Sequence, residues 1–276
     1  MYKVKPLKRF GQNYLRDRNI IKKIVDELDP ALGDNIIEIG PGEGSLTSEI
    51  LKRAAKLTAV EIDKRVTEQL SEKFPGLRLI RDDFIKLDLN RLYREENKKL
   101  RIIGNIPYNL TSPIIFKLIN FSGIIEDSIL MVQYEVAKRM TAKKGTKDYG
   151  ILAVLLQYFT NIKFCFKVSP NVFYPKPKVS SALVHLYFKE TILNEEEKES
   201  FIITIKSAFG NRRKTLKNSL SNSIFKEVDF SGSGIDLKLR AEQLDLNDFI
   251  RLSKFAQQHF NKSNTQSNQN MTNTPG

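Results

Sequence analysis

Cysteine, histidine and tryptophan are nearly missing from this sequence: 276 residues hold one Cys, two His and no Trp. A single thiol, Cys165, excludes an internal disulfide and a cysteine-based zinc knuckle. Two histidines as far apart as His185 and His259 exclude a histidine-rich metal centre, so no metal site is expected. Long apolar runs are missing as well. The most apolar uncharged stretch, Tyr149 to Ile162, has 14 residues, short of the roughly 20 that a membrane-spanning helix needs. Met1 to Arg9 is basic, with no apolar segment behind it. Neither a membrane span nor a signal peptide is therefore expected, and a reducing, cytoplasmic setting fits the cysteine usage.

Acidic residues are absent from two segments and almost absent from a third. Met1–Arg16 carries five Lys/Arg and no acid, Val136–Lys189 ten against Asp148 alone, and Ser200–Lys226 six and no acid. The formal net charge is +13, so the remainder of the chain nets −7 against +20 in these runs. Scattered lysines only solubilise, whereas acid-poor runs make a field that attracts a polyanion. Clustered positive charge of this size is the footprint of a nucleic-acid binder.

With 41% hydrophobic residues the chain can build a real core, and its length suggests one large domain and a smaller one. The first 130 residues alternate β-branched runs with amphipathic stretches, the pattern of βα units on a parallel sheet. Strands are expected at Asn35–Ile39, Leu57–Ile62, Leu77–Arg81, Leu100–Gly104 and Ser128–Val132. Helices are expected at Ser45–Ala55, Lys64–Lys73 and Ser112–Ile119, and ahead of the sheet Ile20, Ile21, Ile24, Val25 and Leu28 mark another. Ile162–Val168 and Ser181–Phe188 read as a closing hairpin. Beyond Glu190 the pattern is helical: Glu195–Phe209, Arg213–Leu220 and Asn247–Gln258. Domains are therefore expected at 1–189 and 190–260. Residues 261–276, almost all Asn, Gln, Ser and Thr, are expected to be a disordered tail.

Ile36–Ser45 is a hydrophobic strand running into a turn with Gly40, Gly42 and Gly44, then a helix. Glycines there let a backbone approach a ligand closely. Glu61 lies 21 residues after Gly40 at a strand end, about where an acid accepts hydrogen bonds from ribose hydroxyls. Asp83 ends the following strand. Gly, Glu and Asp at three successive strand ends suit an S-adenosylmethionine pocket, with Asp83 near the adenine amine.

After the fourth strand comes Asn105-Ile106-Pro107-Tyr108. An exocyclic adenine amine is a poor nucleophile because its lone pair is delocalised into the ring. The Asn105 amide oxygen and the Ile106 carbonyl, presented by the turn that Pro107 fixes, can accept its two N–H bonds and free the lone pair. Tyr108 offers a ring for the base to stack on. A sulfonium methyl donor needs no strong general base, which matches the scarcity of His.

With these residues the chain resembles the small-subunit ribosomal RNA adenine N6,N6-dimethyltransferases, from Lys8 to about Phe255. The resemblance rests on Phe10-Gly11-Gln12-Asn13-Tyr14-Leu15, Glu38–Gly42, Glu61-Ile62-Asp63, Asn105–Asn109, Phe173–Val179, Asn211-Arg212-Arg213-Lys214-Thr215 and Arg240-Ala241-Glu242. It implies a Rossmann-like class I methyltransferase with a mostly parallel seven-stranded sheet, plus a small C-terminal all-α domain. It further implies S-adenosylmethionine binding by Asn13, Leu15, Gly40, Glu61, Asp83 and Asn105, and a flipped adenine held between Tyr108 and Phe173. Two aromatic faces at roughly 1–3 kcal/mol each offset the few kcal/mol of unstacking. Arg212, Arg213 and Lys214 would contact RNA. Departures from the family's usual pattern are Ile106 where Leu is usual, Tyr14 for a common Phe, and Ser180 where Asp is frequent.

The expected activity is dimethylation of two adjacent adenosines in the 3′-terminal hairpin loop of small-subunit rRNA, by a monomer acting on the immature small subunit. The rivals are a large-subunit rRNA methyltransferase, which shares the Ile106 form of the tetrad, a DNA adenine methyltransferase, for which no sequence-reading domain is visible, and a non-catalytic ribosome-assembly factor. A nicotinamide dehydrogenase is disfavoured, because Ser45 stands where the dinucleotide fingerprint wants its third glycine.

Overall fold

A computed structural model describes residues 6–7, 11–54 and 56–271. Of the basic N-terminal run, Lys3, Lys5, Lys8 and Arg9 lie outside them, as does Phe10. In chain order the elements are β1 (Tyr14–Leu15), α1 (Arg18–Leu28), β2 (Asn35–Ile39), α2 (Ser45–Ile50), β3 (Leu57–Val60), α3 (Lys64–Lys73), β4 (Arg78–Ile80), α4 (Leu89–Glu96), β5 (Leu100–Asn105), α5 (Thr111–Asn120), β6 (Ile125–Gln133), α6 (Tyr134–Met140), α7 (Ile151–Phe159), β7 (Thr160–Val168), β8 (Phe173–Tyr174), β9 (Ser181–Phe188), α8 (Glu195–Ala208), α9 (Leu216–Ser221) and α10 (Leu246–Met271).

Seven strands form one sheet in the order β4-β3-β2-β5-β6-β9-β7, and β1 pairs with β8 in a separate ribbon. The strands from β4 to β6 run parallel, and β9 is antiparallel to both of its neighbours. A sheet covered by helices on both faces needs continuous apolar strands, and β2, β5 and β6 supply them. Ile36, Ile37, Ile102, Ile103, Ile129 and Leu130 are at most 1% exposed. Each such burial stabilises by about 1.5–3 kcal/mol.

Helix starts follow local chemistry. Asp17, Asp63 and Asp88 cap α1, α3 and α4 by accepting backbone N–H bonds, and Asn194 and Glu197 close a reciprocal capping box on α8. Strand order reverses on either side of β2, since β3 lies to one side and β5 to the other. A crevice at the carboxyl ends of β2 and β5 is the expected ligand position in such a sheet.

The chain divides into two compact units, and not at one boundary: residues 1–141 with 159–190 form the first, and 142–158 with 191–276 the second. Residues 142–158 join the helical unit because their aromatic side chains pack there. Fully buried Tyr149 meets Phe209 edge-on at 6.3 Å, and Tyr158 lies 4.9 Å from the Phe201 ring. Phe209 in turn stacks on Phe249 at 5.7 Å. The tail also differs from expectation. α10 continues to Met271, with no glycine or proline before Pro275 to stop it; residues 272–276 lie outside the described set.

Candidate active site

Within the first unit a cavity of ≈ 280 Å³ opens at the carboxyl ends of β2, β3, β4 and β5. It is lined by Asn13, Leu15, Gly40, Glu61, Asp83, Asn105, Pro107 and Tyr108, so eight of the candidate site residues share one cavity. The register Ile39↔Gly104 explains part of this, because it sets Gly40 and Asn105, the residues that follow, level at the carboxyl ends of the two strands.

The floor is the turn after β2. Gly40 has φ +62°, and a Cβ there would meet nothing within 4 Å, so its missing side chain leaves room for a ligand. Gly42 has φ +54°, and a Cβ there would lie 2.8 Å from the Tyr14 ring. The second glycine thus serves the lid over the site and not the ligand.

That lid is residues 11–16, which reach three of the rim loops. Gln12 donates to Asp63 at 3.4 Å, the Tyr14 ring covers Gly42, and the Arg16 guanidinium takes Glu43 at 2.8 and 3.3 Å. Asn105 Nδ2 donates to the Asn13 carbonyl at 2.8 Å. This last bond carries chemical information. A carbonyl can only accept, so the amide nitrogen must face Asn13, and Oδ1 is left to accept from a substrate N–H. Asn13 itself donates to the Gly11 carbonyl at 3.2 Å.

Glu61 is 7% exposed and accepts the Asp63 N–H at 2.9 Å. Burial raises its pKa above the usual carboxylate range, Asp63 nearby adds to the rise, and backbone N–H groups of Asp63, Ile62 and Gly42 oppose it. A carboxylate with spare lone pairs and little water suits a diol, whose two O–H groups replace the lost solvent donors. Asp83 accepts the Ile85 N–H at 2.9 Å and shares the cavity with buried Phe84. Beneath the floor, burial pushes Glu38 up to about 7, opposed by the 2.6 Å bond donated by Thr47 Oγ1.

The loop bearing Asp83 is held from behind. Lys117 Nζ donates to the Ile85 carbonyl at 2.9 Å and to the Leu87 carbonyl, and lies 5.6 Å from the Phe84 ring centre. On the far side of the tetrad, the Tyr108 hydroxyl bonds Ser181 Oγ at 2.8 Å, and burial raises its pKa. The ring is thereby held by its hydroxyl at the cavity wall.

Phe173 is placed differently from its expected partner role. It pairs with Leu15 across the β1–β8 ribbon, is 6% exposed, and packs with Leu15, Met131, Val168 and Leu183 in the core. It does not line the cavity. Its neighbour Tyr174 is the exposed ring, with Arg16 stacked 4.1 Å above it.

In the second unit, Arg212 donates to Glu242 at 3.1 Å and to the Tyr149 carbonyl at 3.1 Å, so much of its donor capacity is spent internally. Arg213 and Lys214 sit in the exposed turn before Thr215 caps α9. The helix expected from Arg213 starts at Leu216, because the Thr215 side chain ends the turn.

Sequence reasoning placed Gln12 in the motif of the resemblance without giving it a partner, and missed Arg16, Phe84, Lys117 and Ser181. Only Phe84 carried a local signal, as the aromatic directly after Asp82-Asp83.

Comparison with known proteins adds an independent line. A family model described as ribosomal RNA adenine dimethylase matches residues 4–258. A ribosomal RNA small subunit methyltransferase A from Chlorobium phaeobacteroides (strain BS1) is 45% identical over 248 residues, covering 90% of this chain and 92% of the relative. One of the same description from Pseudomonas fluorescens (strain Pf0-1) is 40% identical over 263 residues, covering 93% and 96%. Among solved structures, a dimethyladenosine transferase from Plasmodium falciparum superposes with TM-score 0.70 at 26% identity, covering 86% of this chain and 95% of that one. A 23S rRNA methyltransferase, ErmE, superposes with TM-score 0.62 at 27% identity, covering 88% and 99%.

Proposed function

The chain belongs to the ribosomal RNA adenine dimethylase family, an S-adenosylmethionine-dependent enzyme class, and from that premise we propose how its own residues carry the reaction. The cofactor supplies an activated methyl group on a sulfonium. Glu61 takes the ribose hydroxyls, Asp83 and Phe84 the adenine, and the lid through Asn13 and Leu15 excludes water. Asn105 Oδ1 and the Ile106 carbonyl accept the two N6–H bonds of the target adenosine, which pyramidalises the nitrogen and directs its lone pair outward. The freed lone pair would take the methyl group that the bound cofactor supplies, and the proton left on the nitrogen would then pass to solvent. Tyr108 stacks on the flipped base.

The observation that carries this reading is the Asn105–Asn13 bond, which sets the amide oxygen as an acceptor at the cavity. The substrate is two adjacent adenosines in the 3′-terminal hairpin loop of small-subunit rRNA in the immature subunit. Relatives at 40–45% identity that carry the small-subunit description favour it over the large-subunit rival. Among the described residues no helix is long and apolar enough to cross a membrane, and a cytoplasmic monomer fits this substrate.

The test is direct: incubate purified protein with small subunits lacking the modification and methyl-labelled cofactor, then map labelled nucleosides. Label on N6-dimethyladenosine at the two adjacent positions is expected. Small subunits left without label, while large-subunit rRNA supplied in a parallel incubation takes it, would overturn the assignment.

A further inference from the structure

Helix α5 packs Ile114, Ile115, Leu118 and Ile119 into the core, each at most 1% exposed, and Lys117 sits among them at 9%. A lysine is rarely buried without a carboxylate partner. The partners of this one are carbonyls, of Ile85 at 2.9 Å and of Leu87. Burial lowers its pKa below the ordinary lysine value, and Asp88, Asp83 and Asp82 oppose the shift through space only. A cation in the last turn of a helix favours the helix dipole, but it would do so from the surface as well. The helix therefore gives no reason for the burial.

The segment that Lys117 holds does give one. Residues 83–87 lie between β4 and α4, in neither helix nor strand, so no ladder fixes them. They are bonded from two sides instead. The Asp83 carbonyl accepts the Lys86 and Leu87 N–H groups at 2.9 and 3.1 Å, and one Asp83 carboxylate oxygen, Oδ1, accepts the Ile85 N–H at 2.9 Å. The carbonyls of Ile85 and Leu87 turn the other way, to the ammonium, which also lies 5.6 Å from the Phe84 ring centre. Asp83, Phe84 and Ile85 all line the cavity. The second carboxylate oxygen of Asp83 is left as an acceptor.

We propose that Lys117 is a positioning residue for the cofactor's adenine: by holding residues 85–87 from behind, it fixes the Asp83 carboxylate where it selects an amine over a carbonyl oxygen on that ring. This rests on the reading that Asp83 and Phe84 take the adenine. A carboxylate accepts from an amine N–H and repels an oxygen in its place, and a site built on one hydrogen bond rejects the analogue that lacks it. Such rejection needs a carboxylate that stays in place, and a loop without a ladder does not supply that by itself. The fold gains little from Lys117, because replacing a buried charge by an apolar side chain of similar volume is often neutral or stabilising. Its two carbonyl bonds serve the ligand.

The test uses the full chain and two ligands, S-adenosylhomocysteine and S-inosylhomocysteine, which carries oxygen in place of the adenine amine. Titration calorimetry gives both affinities, and scanning calorimetry gives the stability of each unliganded protein. Wild-type protein should bind the adenine form roughly tenfold tighter or more, the worth of a hydrogen bond to a charged group. Lys117→Met should weaken the adenine form about tenfold and bring the two affinities together, with its unliganded transition unchanged or raised. Lys117→Gln keeps N–H donors for the carbonyls and should retain part of the discrimination. Discrimination in Lys117→Met equal to the wild type's would overturn the positioning role. So would a Lys117→Met transition lowered by more than about 5 °C, since Lys117 would then belong to the core. A wild type that binds both ligands alike overturns the adenine assignment and Lys117 with it, and one that binds neither overturns the functional reading itself.

Discussion

Two sets of buried and half-buried carboxylates lie at opposite ends of the sheet's strands, and they are treated in opposite ways. Near the amino ends of β5 and β6, Asp127 receives Arg101 at 2.7 Å and lies 3.0 Å from His185 Nε2, while His185 Nδ1 lies 2.9 Å from Glu27. Lys163 and Asp34 complete the group. Burial works to raise the Asp127 and Glu27 carboxyls, but their hydrogen-bonded cations win and hold both below the usual range. At the carboxyl ends, Glu38 and Glu61 have only hydroxyl and backbone donors, and burial raises both. Charges near the amino ends are matched by side-chain cations; those at the carboxyl ends are not.

Removing one member of the matched set should therefore cost most. Asp127→Ala leaves Arg101 and His185 short of a carboxylate in a buried position, which costs about 3–5 kcal/mol. At about 2–4 °C per kcal/mol for a chain of this size, the sheet's unfolding transition should fall by roughly 10 °C in calorimetry. A shift under about 2 °C would mean that the matched set is dispensable. Asn105→Ala, at the rim, should leave that transition nearly in place. It should instead lower the rate of methyl transfer by two to three orders of magnitude, the usual loss when one positioned hydrogen-bonding group is removed from a reacting centre. RNA affinity should change little. Full single-turnover activity in Asn105→Ala would remove the amide from the mechanism.

Much of this contrast was legible in the sequence, on one side only. The rim residues announce themselves because they are small or polar at strand ends in a fixed order: Gly40, Glu61, Asp83 and Asn105. The matched set does not, since Glu27, Asp127 and His185 are separated by up to 158 residues and meet only through the pairing of β6 with β9 and the packing of α1. Lys117 stayed hidden for the same reason, being one lysine on an apolar helix. β1 and β8 were missed because two-residue strands have no periodicity to read, and the placement of Phe173 followed from them. Residues 142–158 carry an apolar run with nothing in it to say which unit it covers.

A pH series sharpens the comparison, because the two sets shift in opposite directions. An acid raised by folding contributes stability that is complete below its ordinary value and lost as pH rises through the folded one; an acid lowered by folding loses its contribution as pH falls. Glu38, at about 7, should thus weaken the fold between about pH 4.5 and 8 by up to about 3 kcal/mol, whereas Asp127 and Glu27 fail only below the ordinary carboxylate range. Glu38→Gln keeps an acceptor for Thr47 and removes the titration. Urea midpoints of the two proteins should coincide near pH 5 and separate towards pH 8, with the variant the more stable. Parallel curves would show that Glu38 is not strained by its burial.

The smallest expected effect repeats the contrast inside the helical unit, between neighbouring cations. Arg212 is matched like the Asp127 set, to Glu242 and the Tyr149 carbonyl, while Arg213 and Lys214 stand in an exposed turn. Arg212→Ala should lower this unit's stability by about 1 kcal/mol, since an ion pair this exposed contributes little beyond its backbone bond. Arg213→Ala with Lys214→Ala should leave stability alone and lower the slope of log affinity for rRNA against log salt by about one for each phosphate that these side chains neutralise. If Arg212→Ala changes the slope as much as the double variant does, its internal bonds give way to RNA on binding, and matched and unmatched cations cannot be told apart in this unit.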